Sequence, residues 1–112
     1  VPHCIIEFSS SLDISPALLV EAVHHGVMES ALFEPSHIKT RALAYEHFRL
    51  AEDYNDFIHV TIRLHHGRTT QQKQQLTKLV LRQLEKLSLK STTITLETVD
   101  IDTESYAKAV IA

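Results

Sequence analysis

Cysteine occurs once in these 112 residues, at Cys4. The chain can therefore close no internal disulfide and can build no cysteine-based zinc site by itself. That composition suits a reducing compartment. With no basic stretch ahead of an apolar segment, the sequence reads as lacking a signal peptide, and the cytoplasm is its expected location. Tryptophan is absent, glycine occurs only twice and proline three times, so each of these few residues punctuates the chain. No apolar run approaches the roughly 18 residues of a membrane span. Neither sign of charge dominates: 11 basic residues against 14 acidic ones leave a net charge of -3. No basic stripe or aromatic-plus-arginine cluster points to nucleic acid as a partner.

What is present is an ordinary globular composition, 44% hydrophobic and 22% charged. The length suits one domain, residues 1–112. A domain of this size buries roughly 65% of the surface that its unfolded chain exposes. That permits a thin core, which association of subunits would help.

Residues 2–8 are apolar on both faces and read as a buried strand, central in its sheet. Ser15-Pro16 offers an N-cap followed by proline at the first helical position. Leu19, Val23, Val27 and Ala31 then follow at helical spacing, predicting a helix from Pro16 to Ala31. Residues 38–50 alternate, with Lys39, Arg41, Leu43, Tyr45 and His47 on one side, and predict a second strand, while the alanines also suit a helix. Phe57 to His65 has the clearest alternation in the chain and predicts the third, after a polar loop over 51–56. Thr69 and Gln72 have capping-box spacing at the head of a second helix, whose stripe is Leu76, Leu79, Val80, Leu84 and Leu87. Residues 92–99 predict a fourth strand, and 103–112 a short helix or a tail. The order is β-α-β-β-α-β, an α+β two-layer domain with a four-stranded mixed sheet and two helices on one face. The other face, with Leu43, Tyr45 and Phe57, would be exposed in a lone chain and is expected to be covered by other subunits.

Four features carry possible chemistry. Pro2 opens the first strand. Within a chain, proline has no basic nitrogen, but at a free terminus it is a secondary amine. Such an amine can act as a general base if burial and neighbouring cations bring its pKa near the working pH. The plainer reading is a proline that simply starts a strand. Gly67-Arg68-Thr69-Thr70 joins the third strand to the second helix, where amides favour anions and Arg68 adds a carboxylate-matching fork. A surface arginine beside an ordinary cap is its alternative. Lys39 and Arg41 share one strand face and could bind a dianion, or could be a solvated basic face. Eight histidines occur, but the pairs His24-His25 and His65-His66 diverge on either element type and no His-Glu-x-x-His run is present, so no metal site is expected. Cys4 as a nucleophile has no assignable His or Asn partner.

Pro2-His3-Cys4-Ile5-Ile6-Glu7-Phe8-Ser9 resembles the amino-terminal Pro-His-x-Ile-x-Glu-x-Ser motif of the 5-carboxymethyl-2-hydroxymuconate isomerases. Ile38-Lys39-Thr40-Arg41 is similar to that family's Ile-Arg-Ser-Arg segment, and Phe57-Ile58-His59-Val60-Thr61 with Gly67-Arg68 to its third strand and Gly-Arg turn. The likeness spans most of the chain in order and is concentrated at these three places.

The resemblance implies the tautomerase fold, assembly as a homotrimer, and no metal or organic cofactor. It implies that Pro2, as a free N-terminal residue, shuttles a proton between carbons of an unsaturated 2-hydroxy or 2-oxo diacid, as in homoprotocatechuate catabolism. Arg68 would then hold a carboxylate or stabilise the dienolate, and Arg41 and Lys39 would bind substrate. Lys39 stands where the family has arginine, which replaces a two-pronged donor by a point charge. Val1 precedes Pro2 and makes its nitrogen an amide. The expectation is that Val1 reflects a non-standard start codon read literally, replaced in the cell by a methionine that is trimmed. Two other readings remain open: a catalytically silent trimeric protein that binds a small carboxylate, and a regulatory domain of the same fold.

Overall fold

The computed structural model describes every residue, Val1–Ala112. Strand β1 spans His3–Ser9, helix α1 Pro16–Glu29, strand β2 Lys39–Tyr45, strand β3 Asp56–His65, helix α2 Thr70–Glu85 and strand β4 Thr92–Ile101. The sheet order is β2-β1-β3-β4. β1 pairs parallel with β2, β3 pairs parallel with β4, and the two halves meet antiparallel through β1 and β3. The expected β-α-β-β-α-β architecture and the internal position of the first strand are therefore what the chain adopts.

Alternation decides the two faces. Cys4, Ile6 and Phe8 of β1 lie opposite Ile62, Val60 and Ile58 of β3, and all six are buried. They pack with Leu19, Val23 and Val27 of α1 and Leu76, Val80 and Leu84 of α2 in one core. Both helices cover this face. They approach closely at Gly26, where an added Cβ would lie 2.8 Å from the Val80 Cα. The opposite, open face carries Lys39, Arg41, Leu43 and Tyr45 of β2, His3, Ile5 and Glu7 of β1, and Phe57, His59, Thr61 and Arg63 of β3. Leu43 on it is 57% exposed.

The helix starts differ in kind. Thr69 accepts a hydrogen bond from the Gln72 amide at 3.1 Å, and Gln72 returns one from the Thr69 amide at 2.8 Å, so the capping box forms. Ser15 has the extended backbone of an N-cap, but its side chain caps nothing. That start rests on the pre-set φ of Pro16.

Beyond shifts of about one residue at the ends of β1 and the starts of β2 and β3, three boundaries move from the sequence reading. α1 ends at Glu29, not Ala31, because Ala31 takes a left-handed φ of 57°. β2 ends at Tyr45, not at residue 50, because its last partner in β1 is Ser9. β4 runs on to Ile101, not residue 99, because β3 offers partners as far as His65. Beyond Ile101 the chain forms a turn, with the Ser105 amide donating to the Asp102 carbonyl at 3.2 Å, and no helix follows.

Candidate active site

The sheet register brings the starts of β1 and β2 together with the end of β3, since His3 lies opposite both Lys39 and Arg63. The amino terminus, the head of α2 and the Gly67-Arg68 turn therefore share one end of the domain. Gly67 has a φ of 118°, a conformation that L side chains rarely adopt, so glycine is what lets β3 turn into α2 here.

Pro2 is buried, and its carbonyl accepts a hydrogen bond from the Lys39 amide at 3.1 Å. In this chain its nitrogen is an amide, and the terminal amine belongs to Val1, 3.4 Å from the His37 carbonyl. Burial lowers the pKa of that amine below its ordinary value, and the positive charges of Lys39 and Lys108 lower it further. Lys39 is exposed, its Nζ lying 3.5 Å from the His37 carbonyl. Two residues after Pro2, in β1, burial pushes the Cys4 thiol up to about 11. It is no thiolate near neutrality, which removes the basis for a nucleophilic role.

Arg41 projects on the open face, and its Nη1 lies 3.1 Å from the His3 Nδ1. The other ring nitrogen of His3 is 2.8 Å from the Tyr106 hydroxyl. The Tyr106 ring also meets His65 edge-on, at 5.2 Å between centroids. The C-terminal segment thus folds back over the end of the sheet where Pro2 lies. Sequence reading missed His3 and Tyr106 as site residues. His3 sat within a recognisable motif, whereas Tyr106 follows the last strand and carries no periodic signal.

Arg68 lies at the same end but turns towards the loop after α1. Its Nη2 donates to the Leu32 carbonyl at 2.7 Å, and its guanidinium carbon lies 5.3 Å from the centre of the Phe33 ring. The structure thus brings Pro2, Lys39 and Arg41 onto adjacent strand starts and gives Arg68 partners within the fold. Guanidinium has five N–H donors, so one bond to Leu32 leaves others for an anion. None of the five principal surface clefts is lined by Pro2, Lys39, Arg41 or Arg68. No three His, Cys, Asp or Glu side chains are grouped to hold a metal ion. No helix is long and apolar enough to cross a membrane.

The sequence was compared with known families, curated proteins and solved structures. No curated protein matches. One solved chain of similar architecture is a 5-carboxymethyl-2-hydroxymuconate delta-isomerase, with a TM-score of 0.81 at 13% identity, covering 98% of this chain and 89% of that one. A second is a 5-carboxymethyl-2-hydroxymuconate isomerase from Deinococcus radiodurans R1, with a TM-score of 0.73 at 16% identity, covering 96% of this chain and 88% of the other. A third is a fused wild-type 4-OT symmetric trimer, with a TM-score of 0.74 at 10% identity, covering 91% and 88%. At such identities these likenesses establish the fold. The family is established by a 5-carboxymethyl-2-hydroxymuconate isomerase family model that matches residues 2–109. The chain belongs to the 5-carboxymethyl-2-hydroxymuconate isomerase family and is an isomerase with the tautomerase fold.

Proposed function

We propose that this chain, when Pro2 is its free first residue, moves a double bond in an unsaturated 2-hydroxy or 2-oxo dicarboxylic acid by proton transfer through the Pro2 nitrogen. The observation that carries this reading is the setting of the amino terminus. It is a partly desolvated amine beside Lys39 and Lys108, with Arg41 on the next strand. That amine, here carried by Val1, holds its proton less tightly than an ordinary terminal amine, which favours a general base at this end of the chain. The neutral amine takes a proton, from carbon in a 2-oxo acid or from the hydroxyl in a 2-hydroxy acid, leaving a dienolate. The resulting ammonium returns it to another carbon, so the base is regenerated and the double bond has moved.

The dienolate and the carboxylates are anionic, and fixed positive charge where that anion develops lowers the barrier. Arg41 supplies a fork for one carboxylate and Lys39 a point charge. Arg68, anchored through Leu32 and Phe33, presents its free donors from the helix side. In a single chain none of the five principal clefts is lined by Pro2, and the open face leaves Leu43 exposed. Assembly as a homotrimer, the state of a 4-OT relative of this fold, would wall the site and cover that face. The reaction needs no cofactor and suits a step in the catabolism of aromatic compounds in the cytoplasm.

The test is a spectrophotometric assay with unsaturated 2-hydroxy diacids, on protein whose first residue has been read by intact-mass spectrometry. Pro2→Ala should lower turnover by about 10²–10⁴-fold, the range of a general base, and leave the fold intact. Turnover by protein that retains Val1 would refute the proline base. One observation favours a second reading: with Val1 attached, the nitrogen is an amide while the cations remain. Such a chain would be a silent carboxylate-binding protein, with saturable affinity dependent on Arg68 and no turnover.

A further inference from the structure

We propose that His3 is a positioning residue that holds the Arg41 guanidinium in place on the open face, and that Tyr106 fixes His3 in the one tautomer able to do so. The argument is one of donors and acceptors. Guanidinium has donors only. At 3.1 Å from Arg41 Nη1, the His3 Nδ1 must present its lone pair. In a neutral imidazole the proton then sits on Nε2, and that N–H donates to the Tyr106 oxygen 2.8 Å away. A proton on Nδ1 would lose the bond to Arg41 and set two donors face to face.

The surroundings keep the ring neutral. Burial lowers the pKa of His3 below its ordinary value, and Arg41, the amino terminus, Lys39 and Arg63 lower it further. The charged and titratable groups about the ring are thus Lys39 and Arg41 from β2, Arg63 from β3, the terminus and Tyr106, with His65 on the far side of the Tyr106 ring. None of them is an acid that could draw a second proton onto the imidazole.

Tyr106 is in turn held from behind. It stacks edge-on against His65, whose Nδ1 lies 2.9 Å from the Thr103 hydroxyl. The C-terminal turn thus reaches Arg41 through two aromatic side chains. Each contact removes rotamer freedom from the next, so Arg41 would meet a carboxylate already ordered.

This inference rests on reading Arg41 as a carboxylate-binding residue, and the experiment separates the two. Long-range proton–nitrogen spectra of the histidine rings in the full chain read the tautomer without any substrate. The expected result is a neutral His3 ring protonated on Nε2, with Tyr106→Phe adding a measurable population of the other tautomer. A ring protonated on Nδ1, or on both nitrogens at pH 7.5, overturns the proposal. The second arm is calorimetric binding of adipate, a saturated dicarboxylate probe. His3→Ala should weaken it about tenfold, and His3→Asn, whose side-chain oxygen can replace Nδ1 as acceptor, should recover most of the loss. Wild-type affinity in His3→Ala, with the fold confirmed by the remaining histidine signals, also overturns it. A wild-type chain that binds no adipate refutes the carboxylate role of Arg41, while the spectra still decide the tautomer.

Discussion

Arg68 has two candidate roles, and stability measurements can tell them apart. Arg68→Ala removes a charge-assisted bond to the Leu32 carbonyl at 2.7 Å and a guanidinium–ring contact with Phe33 at 5.3 Å. A hydrogen bond to a charged group contributes about 1.5–3 kcal/mol, and a cation–π contact about 0.5–1 kcal/mol where water has access. Arg68 is half-buried, so water can partly take its place on the carbonyl, which favours the lower end. The expected loss is about 2 kcal/mol, which lowers the folded-to-unfolded ratio roughly thirtyfold. Urea unfolding followed by far-ultraviolet circular dichroism reads it directly, at fixed protein concentration because an assembling chain unfolds in a concentration-dependent way. The midpoint should fall with no change in slope. Arg68→Lys should recover little, since an ammonium offers no planar fork to lie on Phe33 and reach Leu32 together. If Arg68→Ala unfolds at the wild-type midpoint, the anchoring reasoning is wrong. Lost turnover beside an unchanged midpoint would assign Arg68 to substrate alone.

Two other outcomes follow from the structure. Gly26→Ala would place a methyl group 2.8 Å from the Val80 backbone. Overpacking costs about 1–3 kcal/mol and exceeds the roughly 1 kcal/mol of helix propensity that alanine adds, so urea unfolding should show a net loss; a gain would mean that α1 and α2 separate freely. The terminal amine should titrate below its ordinary 8.0, and Lys39→Gln should raise it by removing the stronger of the two positive charges that act on it. The folded amine binds its proton less tightly than the unfolded one, so this group's contribution to stability is present above about pH 8 and is lost as the pH falls through the folded value. A pH titration of the terminal residue by NMR that gives the same midpoint in both proteins would disprove the assignment to Lys39.

The core was legible because alternation is a local property. Ile58, Val60, Ile62 and Leu64 announce their face whatever they pair with, and all four are buried. The capping box of α2 was legible for the same reason, since Thr69 and Gln72 satisfy each other within one turn. Strand ends were not. Glu46 to Phe48 continue an acceptable pattern, but the pairing of β1 with β2 stops at Ser9 and Tyr45. A partner's length is invisible in the strand that needs it.

The site was legible to a similar extent and for related reasons. Lys39 and Arg41 could be placed on one face by spacing alone, and the register then put that spacing beside Pro2. The partner of Arg68 is a backbone carbonyl, which every residue carries, so no side-chain pattern could have named Leu32. Tyr106 depends on a chain reversal after β4 that follows no repeat.

The sheet is built from two halves, each a parallel strand pair joined by a helix, set head to tail across β1 and β3. Architecture is doubled in this chain, but a terminus is not. At the far end, where β3 begins as β1 begins at the near one, the preceding residue is Asn55, linked to it by an ordinary peptide bond. That end is stoppered. Ser9 and Ser11 both donate to the Asp56 carboxylate, at 2.7 and 2.6 Å, and the Phe57 amide donates to Ser9 Oγ at 3.2 Å. The two halves therefore share an architecture but not a terminus, and the position equivalent to the amino-terminal end has become a clasp that holds the halves together.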